Sequence, residues 1–277
     1  MSKLLVDEIP WRKYLETECN QLQKLLLEEV FLRCENFIDF LSPSLSLKQE
    51  KPKLFIVKED KNKAGHKNGK IYIFEGFIKP FKSVNEDVAI HLGRNVTCAF
   101  LFWVIAHEFF HYSRQHPEIK KKFGSIYDKA LEFDADKHAI EALYHFVKNR
   151  FLTEKISFDV KESILISLFY PIRNRVRPED YRPYNDASHP FWPLRLYYLL
   201  TLLAAFDNPS VFSINSVKDK ARLEEILINL ESDYKNDLSY LNDMVDLNYY
   251  IINHSEDDFK KLMLEYAAVI HLFNNQF

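Results

Sequence analysis

The sequence is poor in glycine and cysteine. It has five glycines and three cysteines among 277 residues. So few glycines argue against a loop-rich barrel and favour a largely helical chain. The number of cysteines is odd, and no two of Cys19, Cys34 and Cys98 form a CxxC pair. We therefore expect reduced thiols in a cytoplasmic protein and no disulfide framework.

Long apolar runs are also missing. The longest, CAFLFWVIA and YYLLTLLAAF, have about half of the roughly 20 residues that a transmembrane helix needs. The amino-terminal residues lack the basic flank and the continuous apolar core of a signal peptide. We therefore expect a soluble protein with no membrane span.

Neither sign of charge dominates, since the formal net charge is -3. Lysines concentrate in residues 51–82 and acidic residues in 215–277, and we interpret both stretches as solvated faces. Neither stretch has the interleaved aromatic residues of a nucleic-acid surface. We predict no nucleic-acid partner, and the sequence does not indicate an oligomeric state.

What the chain does have is abundant apolar residues in helical spacing. Hydrophobic residues make up 47% of it, which is ample for a packed core. Two short β-type runs, LFIV and KIYIFEGF, flank a polar loop and predict an antiparallel strand pair. Apolar periodicity predicts helices over 11–41, 97–115, 125–150 and 191–206, and two or three more over 217–277. The fold class that follows is α+β, predominantly helical, with a small antiparallel sheet and added carboxy-terminal helices.

The chain shows no internal repeat and no flexible linker. We therefore predict a single compact domain over 1–277. Within it, 1–50 forms an amino-terminal helix, 51–206 the core and 207–277 a carboxy-terminal helical extension.

The segment FWVIAHEFFHYSRQH places polar residues inside an apolar run, where burying them unpaired would be costly. His107 and His111 are four residues apart on a predicted helix, so both imidazoles project from one face and can bind one ion. Glu108 lies between them. This HExxH pattern is typical of two histidines that ligate zinc beside a glutamate that takes a proton from water.

A second predicted helix carries EFDAD, in which Glu132 and Asp136 are again four residues apart. Glu132 can complete a two-histidine, one-carboxylate site that leaves a fourth position open. Asp136 is then placed to accept the far ring proton of one ligand histidine. A metal would satisfy the polar groups of the apolar run.

These motifs resemble those of the gluzincin metallopeptidases, in particular the branch of HtpX-type and CAAX-prenyl proteases. In that branch the zinc helix is followed by E-x-x-x-D and later by H-P-x-x-x-x-R, which correspond here to Glu132 with Asp136 and to His189 with Arg195. The sequence is also similar to the Lit-type phage-exclusion peptidase, through the QHP that follows the zinc helix and the E-x-x-A-D helix.

The resemblance implies a zincin-like catalytic core over 51–206. It implies that Glu132 is the third ligand of one Zn²⁺ per chain, that His189 stabilises the oxyanion of the transition state, and that Arg195 orients His189. Phe110 departs from these families, in which this position is commonly small. Its bulk beside the metal would either narrow the site or require compensating space opposite it.

Other histidines have simpler interpretations. His116 lies about two and a half turns after His107, and we expect it to cap or pack the helix end. His138 and His145 share the helix of Glu132 but lie on its other side, so both should point away from the metal.

The function favoured by the sequence is a cytoplasmic zinc endopeptidase that acts on a protein or peptide substrate. The strand Ile71–Phe77 either adds an extended substrate as a further strand or is a plain hairpin edge. The resemblance to the Lit type would imply phage defence or toxin-like cleavage of a host protein. Two alternatives stay open: a degenerate zincin whose structural zinc supports a binding or regulatory module, and a protein with no metal.

Overall fold

The structure, a computed structural model, describes residues 8–61, 63–82, 94–154, 159–173, 190, 192–208, 213–237 and 247–274. The chain divides into two compact units, Met1–Gln115 and His116–Phe277. The prediction of a single domain stays a prediction. The α+β, predominantly helical fold class is confirmed, because the described residues form many helices and a small four-stranded sheet.

The first unit combines a four-stranded sheet with helices. Its elements are β1 (Glu8–Pro10), α1 (Trp11–Glu18), α2 (Gln21–Leu41), β2 (Lys53–Val57), β3 (Ala64–Lys67), β4 (Lys70–Phe74), α3 (Glu75–Lys82) and α4 (Arg94–Ser113). The helix predicted over 11–41 is two helices, because the side chain of Asn20 caps a new helix by accepting a hydrogen bond from the Gln23 amide at 2.9 Å.

The sheet has the strand order β1-β2-β4-β3. The antiparallel pairing predicted for LFIV and KIYIFEGF is wrong, because β2 and β4 are parallel neighbours with Leu54 opposite Ile71. The sheet is therefore mixed: β3 lies between these strands in sequence and pairs antiparallel with β4. Near-continuous apolar runs are typical of parallel strands that are buried on both faces. The predicted edge strand Ile71–Phe77 is also wrong, since β4 has neighbours on both sides and ends at Phe74.

The turn between β3 and β4 explains why the polar loop contains a strand. Asn68 and Gly69 have φ angles of 50° and 68°. A two-residue hairpin loop of type I′ needs positive φ at both positions, and Asn-Gly is strongly preferred there. The turn therefore directs residues 64–67 back along β4.

Gly69→Ala tests this turn. We expect the free energy of unfolding to fall by about 1–2 kcal/mol, because a Cβ disfavours the left-handed backbone. Gly65→Ala is the matched control: Gly65 has no positive φ, and a Cβ added there meets nothing within 4 Å. Urea denaturation followed by circular dichroism checks both variants, and equal midpoints would contradict this account.

Helix α4, which carries the HExxH motif, is buried on all sides over 99–107. Such a helix belongs in the centre of a core. It packs against α2, where the rings of Phe37 and Phe102 lie 5.3 Å apart. The side-chain amide of Gln49 donates to the carbonyls of Tyr112 and Ser113 at 2.9 and 3.2 Å. These are carbonyls of the last helical turn, which have no partner within the helix. Gln49 therefore anchors the helix a few residues after the motif.

The second unit is helical throughout its described residues. Its helices are α5 (His116–Phe123), α6 (Asp128–Glu154), α7 (Val160–Arg173), α8 (Trp192–Ala205), α9 (Ile214–Asp237), α10 (Leu247–Asn253) and α11 (Ser255–Asn274). The last three confirm the predicted carboxy-terminal helices. No helix in the described ranges is long and apolar enough to cross a membrane.

Helix α6 runs through the core of the second unit and packs against α7, α8 and α11. Phe133 is 1% exposed and meets Tyr198 of α8 and Tyr266 of α11 edge-on, with ring centroids 5.1 Å away in each case. Such aromatic pairs add to the burial of their apolar area. This packing fixes the rotation of α6 and so determines which of its carboxylates are buried.

Candidate metal centre

His107 and His111 project from the same face of α4, as their spacing predicts. Their Nε2 atoms lie 3.0 Å apart, and each residue is 8% exposed. The two rings meet edge-on, with centroids 4.5 Å apart. Two buried imidazole nitrogens therefore converge on one point.

This geometry fits a zinc ion. Imidazole nitrogens bind zinc at 2.0–2.1 Å in a tetrahedral arrangement, which places two ligand nitrogens about 3.3 Å from each other. The observed separation is close to that value. Histidines are also ligands that zinc prefers, and the apolar surroundings of α4 would lower the local dielectric around the ion.

Glu108 lies beside this pair. Its side chain is 14% exposed, and its Oε2 lies 2.9 Å from Nδ1 of His66. Burial works to raise the pKa of Glu108, but the hydrogen bond from His66 and the nearby His107 and His111 outweigh it and hold that pKa below its ordinary value. The side chain is therefore an ionised carboxylate at neutral pH, as a general base must be.

His66, on β3, is a residue of the site that sequence reasoning missed. The Asn-Gly pair two residues later is the local signal of a hairpin and would have placed His66 on a strand. Nothing local predicts that this strand lies against α4. His66 stacks on His111, with ring centroids 5.6 Å apart and an angle of 7° between the planes.

Aromatic side chains of α4 surround the motif. The indole of Trp103 lies 6.1 Å from the ring of His107, between centroids. Phe110 is 8% exposed and packs edge-on against Phe109. That Phe110 narrows the site stays a prediction.

In the second unit, α6 carries the two predicted carboxylates in different surroundings. Glu132 is partly exposed, whereas Asp136 is fully buried. Asp136 accepts hydrogen bonds from Nε and Nη2 of Arg195, at 2.8 and 2.6 Å, and from the hydroxyl of Tyr198. The structure thus joins Asp136 to Arg195, two residues to which the sequence assigned separate roles.

The ion pair of Arg195 and Asp136 is strongly coupled. Burial alone would lower the pKa of Arg195, but the attraction of Asp136 outweighs it and raises that pKa. Burial and the same carboxylate raise the pKa of the Tyr198 hydroxyl, which stays protonated and donates. The ligand role of Glu132 and the roles of Asp136 and Arg195 in catalysis remain predictions.

Asp134 forms a second buried network on α6 that the sequence did not indicate. It is fully buried, lies 3.0 Å from Nε2 of His116 and accepts a hydrogen bond from the hydroxyl of Tyr266 at 2.9 Å. His116 begins the separate helix α5, and the expectation that it caps or packs the end of the zinc helix stays a prediction. This network ties α5, α6 and α11 together.

The remaining predicted histidines have different outcomes. His189 lies outside the described residues. His138 lies 3.6 Å from Asp134 and 3.7 Å from Glu141, and His145 contacts the ring of Tyr144. That His138 and His145 point away from a metal stays a prediction.

Residues 67–214 match the profile of a protein family described as Peptidase U49. The match covers more than half of the chain, including HExxH, the carboxylates of α6, and the H-P-x-x-x-x-R segment. No curated protein and no solved structure matches the chain. The family match does not confirm a relationship to the HtpX and CAAX-prenyl branch. The resemblance to that branch remains a prediction from the motifs.

Proposed function

Because the chain belongs to the peptidase U49 family and is therefore a peptidase, we propose that it is a zinc-dependent endopeptidase of the HExxH type. The observation that carries the proposal is the convergence of the two Nε2 atoms of His107 and His111, 3.0 Å apart on a buried helix. The ionised carboxylate of Glu108 beside them supports the same chemistry.

His107 and His111 would hold one Zn²⁺ per chain, and Glu132 is the third ligand that we propose from the E-x-x-x-D pattern. Two imidazoles and one carboxylate are a known catalytic zinc set and leave one of four positions for water or substrate. A zinc ion held there would supply the Lewis acidity that peptide-bond hydrolysis needs.

Glu108 moves the proton. Its carboxylate takes a proton from the attacking water and later delivers it to the nitrogen of the leaving amine. Oε2 of Glu108 accepts the hydrogen bond from His66. The proton is therefore transferred at Oε1.

The roles of His189 and Arg195 come from the resemblance to gluzincins. His189 would stabilise the charge that develops on the scissile carbonyl oxygen. The contact between Arg195 and Asp136 supports a role for Arg195 in fixing the segment that carries His189, since the pair anchors α8 to α6. Phage defence, or cleavage of a host protein as a toxin, is proposed from the Lit-type resemblance alone.

The substrate would bind along β3. In the sheet β1-β2-β4-β3 this strand is an edge strand, and an extended peptide can add to such an edge through main-chain hydrogen bonds. His66 on the same strand contacts Glu108, which supports binding of the peptide close to the proton-transferring carboxylate.

Metal content tests the proposal. We expect about one zinc ion per chain in the purified protein by inductively coupled plasma mass spectrometry, and a loss of most of it in His111→Ala and Glu132→Ala, because each removes one of three ligands. His145→Ala, on the same helix as Glu132, is the matched control and should keep its zinc. Cleavage is then measured with a library of internally quenched peptides.

Protein that stays without zinc after incubation with it would refute the proposal. Full zinc in Glu132→Ala would remove Glu132 from the ligand set. Zinc bound without cleavage of any peptide would favour the alternative of a structural zinc.

A further inference from the structure

His66 touches two residues of the HExxH motif but has no role assigned by that motif, and it lies one residue before the matched range 67–214. Its Nδ1 lies 2.9 Å from Oε2 of Glu108. Its ring stacks on that of His111 at 5.6 Å between centroids. One side chain therefore contacts both the proton-transferring carboxylate and a proposed metal ligand.

The direction of the hydrogen bond follows from chemistry. A general base must be a carboxylate without a proton, so in the proposed mechanism Nδ1 of His66 donates to Oε2 of Glu108. A bond with an ionised acceptor is stronger than one between neutral groups. The antiparallel pairing of His66 with Ile71 fixes the backbone from which the ring projects.

The other ring nitrogen of His66 does not explain why a histidine stands at this position. Nε2 is buried and has no hydrogen-bond partner among the residues that the structure describes. Leaving a buried polar atom unpaired is unfavourable, so Nε2 adds no stabilising hydrogen bond within the described residues. The contacts of His66 with the HExxH motif are the Nδ1 hydrogen bond to Glu108 and the stacking on His111.

We propose that His66 is a positioning residue for Glu108. By donating Nδ1–H to Oε2, it fixes the plane of the carboxylate and leaves Oε1 to take the proton. Stacking on His111 holds the imidazole in the orientation from which it can donate. This inference rests on the proposed function, because it concerns the same general base.

Two variants separate the hydrogen bond from the shape of the ring. His66→Phe keeps a flat ring that can stack on His111 but has no donor. His66→Asn keeps a side-chain N–H near the position of Nδ1 and loses the ring. Zinc-loaded protein and the best peptide from the quenched library are used for all kinetics.

We expect His66→Phe to lower kcat by about 10–100-fold, by analogy with the loss found when a hydrogen-bond partner that orients a metal ligand is removed. KM should stay within about twofold, because the substrate contacts proposed along β3 are main-chain hydrogen bonds, which do not use the His66 side chain. His66→Asn should recover most of kcat. In the Glu108→Gln background, His66→Phe should cause no further loss, because His66 acts through Glu108.

Zinc affinity is the readout that does not depend on activity. Competition with a chromophoric chelator should give both variants the affinity of the parent within about threefold, since His66 is not a ligand in this proposal. Thermal unfolding checks that each variant folds. His66→Leu takes the place of His66→Phe if the latter does not fold.

A parental kcat in His66→Phe would overturn the inference while leaving the proposed function intact. So would a His66→Asn variant as slow as His66→Phe, or a large loss of zinc affinity in both, which would make His66 a ligand. A parent that neither binds zinc nor cleaves any peptide would instead refute the proposed function, and the role of His66 with it.

Discussion

Glu108→Gln is expected to keep about one zinc ion per chain and to lose peptide cleavage by about 10²–10⁴-fold in kcat. General-base catalysis contributes about this factor, and an amide cannot take the proton that the carboxylate takes. Glutamine has nearly the same shape, so the buried helix α4 should remain packed. Metal analysis and initial rates on the best quenched peptide measure the two effects separately.

Glu118→Gln is the matched control, because Glu118 is an exposed glutamate that the proposal leaves without a catalytic role. It should keep both zinc and activity. A Glu108→Gln protein that cuts at the parental rate would remove Glu108 from the mechanism. The alternative of a structural zinc predicts that this substitution changes nothing measurable, because the unaltered protein would not cleave peptides.

Arg195→Met is expected to lower the free energy of unfolding by about 3–5 kcal/mol. The carboxylate of Asp136 is fully buried and receives two hydrogen bonds from the guanidinium, so removing that cation leaves an uncompensated buried charge. Asp136→Leu should lower the free energy of unfolding by a similar amount, because it leaves the guanidinium of Arg195 buried without its carboxylate. Urea denaturation followed by circular dichroism measures both.

Arg222→Met is the matched comparison. Arg222 pairs with Asp159 at 2.7 Å, but the two side chains are 43% and 35% exposed. We expect a loss of only about 0.2–1 kcal/mol, because solvent screens an exposed pair. The double variant Asp136→Leu/Arg195→Met should lose less than the sum of its single variants, since it leaves no unpaired charge. Equal losses in Arg195→Met and Arg222→Met would contradict the structure of the buried pair.

Local periodicity determined much of the candidate centre. The spacing of His107 and His111 places them one helical turn apart whatever surrounds the helix, so their convergence could be predicted. The helical class and the carboxy-terminal helices were equally predictable. Apolar residues that recur every three or four positions predict a helix, and this spacing can be seen in the sequence alone.

The sheet was predicted only in part. Both apolar strands exist, but their relative direction depends on β3. This four-residue strand has the sequence AGHK, which shows no alternating apolar pattern. Only its Asn-Gly turn was a local signal for it. Because the sequence predicts a loop over these residues, it places the edge of the sheet at the wrong strand and gives His66 no role.

The buried networks of the second unit could not be predicted from local pattern. Asp134 and Asp136 are two residues apart in one acidic segment, yet their partners Tyr266 and Arg195 lie 132 and 59 residues along the chain. Sequence spacing predicts which residues share a helical face. It does not predict which distant helix packs against that face.

By itself the sequence determined the helical class, the pair of histidines and the glutamate between them, because these depend on the helical repeat and on side-chain chemistry. The tertiary structure decided that His66 contacts Glu108, that β3 is an edge strand, and that Asp136 holds Arg195. Each of these depends on contacts between segments distant in the chain, whose pairing is selected by the packing of the whole core.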